Sequence, residues 1–275
     1  MAHSVDASPL GQKTAYISEY DASLLFPISR SESRKALGLT GELPFFGFDI
    51  WTGYELSWLN SKGKPVVAVA EFSVPFDSPF IVESKSFKLY LNSFNQTKFE
   101  SLDDVKSVLI KDLSVVAEAS VSVDLQYVHN SNLLIDFTFD AVCIDNLDVA
   151  IDTYHPQPEL LTTDPALKVS ESLCSHLLKS NCPVTGQPDW ASVFVEYSGA
   201  KINHESLLRY VVSFREHQDF HEHCVERIFV DISNQCKPDS LSVYARYIRR
   251  GGLDINPFRS SETVAKPGIG RLLRQ

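Results

Sequence analysis

A proline-rich break near the middle of the chain constrains its fold more than any other feature. Tyr154-His155-Pro156-Gln157-Pro158-Glu159-Leu160-Leu161-Thr162-Thr163-Asp164-Pro165 carries three prolines and has little hydrophobic periodicity. Such a stretch reads as a connection between folded parts. It divides the 275 residues into two pieces, each of ordinary domain size. The expected layout is an N-terminal module over residues 1–153, a linker over 154–167 and a C-terminal module over 168–275.

The two pieces share a grammar of strands beside helices. In the first, Pro65-Val66-Val67-Ala68-Val69-Ala70 is β-type. Val105, Val108, Leu109, Leu113 and Val116 fall on one face of a helix that Ser101 or Asp103 would cap. Ser120 to Val128 and Leu133 to Phe139 alternate as strands, with Asn130-Ser131-Asn132 as the turn between them. In the second, Val169 to Lys179 fits a strand better than a helix, and Ser192 to Tyr197 alternates. Glu205 to Arg215 and His221 to Ser233 have helical spacing, and Leu241 to Ile248 is a strand that Gly251-Gly252 ends. The fold class expected from this order is α+β with largely antiparallel sheets. Sequence identity between the halves is not evident, so any duplication rests on element order.

Charge and cysteine usage narrow the function classes. The formal net charge is -10. Nucleic-acid binders normally present a basic face, so direct binding of nucleic acid is not expected. Ser131 to Leu167 contains no Lys or Arg, whereas Arg246 to Gln275 holds seven basic and two acidic residues. That basic tail is either a solvated surface or a hold for an anionic cofactor. No stretch approaches the ~20 apolar residues of a membrane span, and the N-terminus lacks a secretory pattern, so a cytoplasmic location is expected. The five cysteines, Cys143, Cys174, Cys182, Cys224 and Cys236, are odd in number and contain no CxxC pair. Neither a disulfide framework nor a structural zinc site is expected from them.

Four segments could carry chemistry. In Ser180 to Trp190, Cys182 and Asp189 lie on a proline-turned loop after a strand. Cys182 reads either as a small buried thiol or as a nucleophile with a carboxylate to take its proton. In Phe214 to Glu226, the i,i+4 pair His217 and His221 suits one helix face and a metal. The pattern is not HEXXH, however, and no second cluster offers a third ligand. A polar helix start capped by Asp219, or a substrate-handling pair in which His221 shuttles a proton and Glu222 accepts N–H donors, are the other two readings. Glu83 to Phe94 places Lys85 and Lys88 beside hydroxyl residues, as a phosphate hold or a solvated basic edge before a helix. Tyr244 to Pro257 is a basic strand ending in Gly251-Gly252, where a backbone can approach a ligand or make an ordinary turn. It is not a GxGxxG motif.

Five stretches in order resemble the NADPH-dependent 7-cyano-7-deazaguanine reductases of queuosine biosynthesis in their two-module form. They are Leu43 to Asn60, Glu83-Ser84-Lys85, Ser180 to Trp190, Phe220 to Phe229 and Arg246 to Arg259. The resemblance implies tandem tunnelling-fold modules, antiparallel sheets with helices packed on one face, and a homodimer. It implies a nitrile-to-amine reduction that consumes two NADPH and requires no metal. By resemblance, Cys182 is the nucleophile that forms a thioimide, Asp189 the acid/base group, and His221 a second group in the proton traffic. Glu222 and Glu83 contact the base, and Phe220 packs on its ring. Ser84, Lys85, Lys88, Arg249 and Arg250 are the expected cofactor contacts. Two other functions compete. One is a zinc-dependent pterin or cyclohydrolase-type enzyme of the same fold; the other is a non-catalytic purine-binding protein.

Overall fold

The computed structural model describes residues 17–128, 140–264, 266–267 and 271–275. The expected strand Leu133 to Phe139 and the turn Asn130-Ser131-Asn132 lie outside the described residues. In chain order the strands are β1 (Pro27–Ser29), β2 (Phe46–Leu59), β3 (Pro65–Pro75), β4 (Phe80–Val82), β5 (Ser122–Tyr127), β6 (Val142–Cys143), β7 (Thr163–Asn181), β8 (Pro188–Ile202), β9 (Ser240–Tyr247) and β10 (Leu253–Ser260). The α-helices are α1 (Ser31–Ala36), α2 (Ser84–Ser93), α3 (Leu102–Ala117), α4 (His204–Ser213) and α5 (His221–Cys236). The protein is a mixed α+β protein with mainly antiparallel strands.

The chain forms two compact units that are interleaved in sequence. Unit 1 is Met1–Lys35, Asp49–Leu133 and Arg249–Ile255; unit 2 is Ala36–Phe48, Leu134–Ile248 and Asn256–Gln275. β2 and β10 are therefore each divided between units, which no linear division of the chain contains. The Pro-rich stretch also holds more structure than a linker. Pro158–Leu160 is a 3-10 turn, and β7 already begins at Thr163. Pro165 is accommodated where the ladder shifts register between Asp164 and Lys168. A bulge is where a strand tolerates a residue with no amide to donate.

In unit 1 the strands run β5-β3-β2-β10. The alternation of β5 turns Val123 and Leu125 inward while Ser122 and Asp124 face solvent. α3 starts because Ser101 Oγ accepts the Asp104 amide, and Asp103 and Asp104 complement the helix dipole. Its buried residues Val105, Leu109, Leu113 and Ala117 recur every four residues. That stripe packs into one core with Trp51, Trp58, Phe72, Phe87, Tyr90 and Phe94. Several of the aromatic rings meet edge to face, as between Phe72 and Phe87 at 5.0 Å and between Tyr90 and Phe94 at 5.1 Å. One buried ion pair in this unit joins Arg30 and Asp49, both about 1% exposed.

In unit 2 the strands run β10-β9-β8-β7-β6, with β6 alone parallel to its neighbour. α5 buries Cys224, Val225, Ile228, Phe229 and Ile232. α4 ends at Ser213, earlier than the expected Arg215, because Phe214–Glu216 tightens into a 3-10 turn. Gly47 sits at φ +144°, and a Cβ there would lie 2.0 Å from the Phe258 carbonyl oxygen. Only glycine admits that approach.

The two units repeat a local pattern that the halves of the sequence hide. In α2, Ser86 Oγ bonds the Glu83 carbonyl, Ser93 Oγ bonds the Tyr90 carbonyl, and the Tyr90 hydroxyl donates to Asp112. In α4, Ser206 Oγ bonds the Asn203 carbonyl, Ser213 Oγ bonds the Tyr210 carbonyl, and the Tyr210 hydroxyl donates to Asp231. α3 and α5 both end on a left-handed residue, Glu118 at φ 50° and Lys237 at φ 47°. The shared string is Ser-x-x-x-Tyr-x-x-Ser-Phe, at Ser86 to Phe94 and again at Ser206 to Phe214.

Candidate active site

The loop that carries Cys182 is closed by its own backbone. The Cys182 amide donates to the Gln187 carbonyl at 2.9 Å, and the Gly186 amide donates to the Cys182 carbonyl at 3.0 Å. β7 and β8 meet this turn in register, with Ser180 opposite Asp189 and Asn181 opposite Pro188. A second strand of backbone runs beside it. The Asn181 amide donates to the His217 carbonyl and the Asp219 amide to the Asn181 carbonyl. That bridge draws the Cys182 turn to the segment leading into α5. The Lys179 ammonium reinforces it by donating to Asn181 Oδ1 and to the Arg215 carbonyl, each at 2.7 Å. Cys182 is 4% exposed.

α5 begins at His221, so His221 and Glu222 stand in its first turn. His221 Nε2 lies 3.3 Å from Asp189 Oδ2. Its ring lies flat on Tyr247, centroids 3.8 Å apart and planes within 8°. Nδ1 of His221 is buried and has no hydrogen-bond partner. The imidazole is thus fixed by stacking and by one carboxylate, with its second nitrogen uncommitted. Asp189 and Glu222 are buried, at 6% and 2% exposure. Phe220 precedes the helix and meets the His223 ring edge-on at 5.8 Å.

Beneath these groups lie Cys224, Tyr247 and Ser180, all buried. Burial pushes the Cys224 thiol up, and the carboxylates of Asp219 and Asp189 push the same way. Burial likewise holds the Tyr247 phenol well above its usual value, helped by Cys224 and Asp189. Both groups keep their protons at neutral pH, so neither competes as an anion in this site.

The histidine cluster differs from the expectation for it. His217 lies after the 3-10 turn and before α5, so His217 and His221 do not share a helix face. Asp219 is not the helix cap; Phe220 holds that position without a side-chain cap. Asp219 instead accepts from the Phe220 amide at 2.8 Å and lies 3.1 Å from His223 Nδ1. Burial alone would raise its carboxyl. Hydrogen bonds from His217 and His223, the His223 charge and the Phe220 amide overcome that and hold it well below the usual carboxylate range. Asp219 is therefore a charged anchor for the entry to α5. Tyr247, Ser180 and Asp219 are the residues sequence reasoning missed in these roles. Tyr247 and Ser180 act through contacts remote along the chain, whereas the Asp219 carboxylate meets Phe220 and His223 close by in sequence.

Unit 1 carries the remaining candidates. Glu83 is fully buried and caps α2: its two carboxylate oxygens accept the Lys85 and Ser86 amides, each at 2.8 Å. The first amides of α2 are thereby taken, so an anion near Ser84, Lys85 and Lys88 would be held by side chains. Lys88 lies against the β9–β10 turn, where a Cβ on Gly251 would come within 3.1 Å of its Cδ. Arg249 in that turn stacks over Tyr54 at 5.2 Å, and the Tyr54 hydroxyl donates to Asp254 at 2.6 Å. The structure thus brings Lys88, Arg249 and Arg250 together around Gly251-Gly252. The Glu55 carboxylate also stands against this turn, where a Cβ on Gly252 would come within 2.7 Å of its Oε2.

Comparison with known proteins defines the class. Residues 16–125 match the family described as "Nitrile reductase, 7-cyano-7-deazaguanine-reductase N-term", and residues 188–266 match "QueF-like protein". A Burkholderia multivorans protein named NADPH-dependent 7-cyano-7-deazaguanine reductase is 58% identical over 269 residues, covering 98% of each chain. A Paraburkholderia phytofirmans protein of the same name is 56% identical over 272 residues, covering 98% of this chain and 99% of its own. The chain belongs to the family of NADPH-dependent 7-cyano-7-deazaguanine reductases.

Proposed function

We propose that this chain reduces the nitrile of 7-cyano-7-deazaguanine to the aminomethyl group of 7-aminomethyl-7-deazaguanine, with two NADPH and a thioimide on Cys182, in queuosine tRNA modification. Family membership supports the reaction. The observation that supports its chemistry is the 3.3 Å contact of His221 Nε2 with Asp189 Oδ2 beside the Cys182 turn.

A nitrile accepts hydride poorly. Adding the Cys182 S–H across the triple bond changes that: sulfur bonds to carbon, and nitrogen takes the proton. In this reading Asp189 receives the thiol proton and returns it to nitrogen, and His221 exchanges protons with Asp189. NADPH, when bound, supplies one hydride to the thioimide carbon and one to the imine carbon left when the C–S bond breaks. With two protons from solvent, four electrons convert nitrile to amine and Cys182 regains its thiol. Lys85, Lys88, Arg249, Arg250 and Ser84 are proposed to hold the cofactor through its phosphates. Glu222 accepts the paired N–H donors of the base and Phe220 packs on its ring; the resemblance adds Glu83 as a second carboxylate. The tandem tunnelling-fold modules, homodimeric state and cytoplasmic location belong to the same reading. The repeated helix pattern supports the tandem modules. No helix among the described residues is long and apolar enough to cross a membrane.

The test is intact mass after mixing with the nitrile in the absence of NADPH. Wild type is expected to gain one substrate mass and Cys182→Ala none, followed by consumption of two NADPH per nitrile in wild type. If neither protein forms an adduct while the base demonstrably binds, the thioimide route is wrong.

A further inference from the structure

A second group of reactive side chains lies in unit 2, eight residues before Cys182 along β7. β6 pairs in parallel with β7 so that Cys143 stands opposite Cys174. His176 follows two residues on, in the bulge where the β7–β8 ladder shifts register between Ser175 and Leu178. The two sulfurs and a ring nitrogen of His176 all lie within 4.8 Å of one another. In a tetrahedral site with Zn–S bonds of about 2.3 Å, two sulfurs stand roughly 3.8 Å apart, so closure needs only about 1 Å of movement.

We propose that Cys143, Cys174 and His176 bind one thiophilic divalent cation of the zinc type, clipping the edge strand β6 to β7. Three features favour this over an incidental grouping. The His176 ring is held by Ser192, whose Oγ lies 2.7 Å from Nδ1, the kind of outer contact that orients a ligating imidazole. Asp145 fixes the approach of Cys143: it accepts from Ser175 Oγ at 2.6 Å and from the His176 amide at 2.9 Å. The Arg274 guanidinium donates to the His176 carbonyl at 2.8 Å, which fixes the backbone of the ligating residue. A disulfide would need the sulfurs alone; the oriented imidazole is what a cation requires.

On binding, each thiol releases one proton to solvent, and the two thiolates neutralise the divalent ion with no change of oxidation state. Cys143 and His176 are exposed, so water completes the tetrahedron. The site closes the segment between Cys143 and Cys174 into a loop. The absence of a CxxC pair does not exclude it, because the ligands come from two strands that meet only in the fold.

The experiment uses the full chain without an affinity tag, reduced and stripped with chelator, then titrated with Co²⁺ and competed with Zn²⁺. One equivalent is expected to bind, with sulfur-to-cobalt charge-transfer absorption that Zn²⁺ abolishes. Cys143→Ser should lose that absorption and most of the Zn²⁺ affinity while retaining nitrile reduction. Ser192→Ala should weaken Zn²⁺ by roughly 10–100-fold. Cys182→Ala should leave the absorption in place, which separates this site from the reactive thiol. The proposal is overturned if the reduced protein binds no metal or if Cys143→Ser binds as well as wild type. It is also overturned if protein isolated without reductant is lighter by two hydrogens through a Cys143–Cys174 disulfide.

Discussion

The Glu226–Arg259 pair lets a structural magnitude be tested directly. Both side chains are fully buried. Arg259 Nη2 and Nε donate to Glu226 Oε1 at 2.9 and 3.3 Å. Its Nη1 donates to the carbonyls of Phe48 and Phe258, and the guanidinium lies 5.5 Å over the Phe45 ring. Glu226 stands one helical turn after Glu222 on α5, so this pair anchors the helix whose first turn presents His221 and Glu222. Glu226→Gln keeps the shape and leaves the guanidinium without its counter-charge. Breaking one side of a buried pair costs about 3–5 kcal/mol, whereas replacing both partners by apolar groups is often close to neutral. At roughly 2–4 °C per kcal/mol for a protein of this size, the single variant should lose roughly 6–20 °C in Tm. Differential scanning calorimetry of wild type, Glu226→Gln, Arg259→Met and Glu226→Met/Arg259→Met completes a double-mutant cycle. The double variant should be more stable than either single one. If its loss equals the sum of the two single losses, the groups are not coupled and the reasoning fails.

Asp219→Asn should destabilise by roughly 1.5–3 kcal/mol at neutral pH, the usual worth of hydrogen bonds to a charged group. The folded carboxyl is held below its unfolded value, so its contribution is full above about pH 4 and is lost as pH falls through the folded value. The gap between variant and wild type in urea midpoints should therefore narrow below pH 4; a gap that stays constant would show that the charge is not what stabilises. Gly47→Ala forces a Cβ against the Phe258 carbonyl at a left-handed φ. A loss of roughly 2–5 kcal/mol in denaturant unfolding is expected, and wild-type stability would contradict the close approach.

Much of the local structure was legible because it is written in short-range periodicity. α3 shows four buried apolar positions at helical spacing and a serine cap, and β5 alternates over its first four residues. β10 was not legible for the opposite reason. Every residue of β10, Leu-Asp-Ile-Asn-Pro-Phe-Arg-Ser, is buried, including Asp254, Asn256 and Arg259. With no exposed face there is no alternation, and its polar residues read as a loop. The same blindness hid the repeat of Ser86 to Phe94 at Ser206 to Phe214, since the conserved spacing lies in hydrogen-bonding residues rather than in overall identity.

For the candidate site the division is similar. The sequence by itself determined which residues could react: a cysteine and an aspartate on a proline-turned loop, and a histidine and a glutamate where a helix begins. Those depend on neighbours along the chain. Only the tertiary structure decided that His221 lies on Tyr247 and reaches Asp189, that Asp219 anchors rather than caps, and that Cys143 stands beside Cys174 and His176. Apart from those of Asp219, whose carboxylate meets near neighbours, these contacts join residues far apart in sequence. Strand register and helix placement select them, and both are set by the burial of whole faces, which no local spacing encodes.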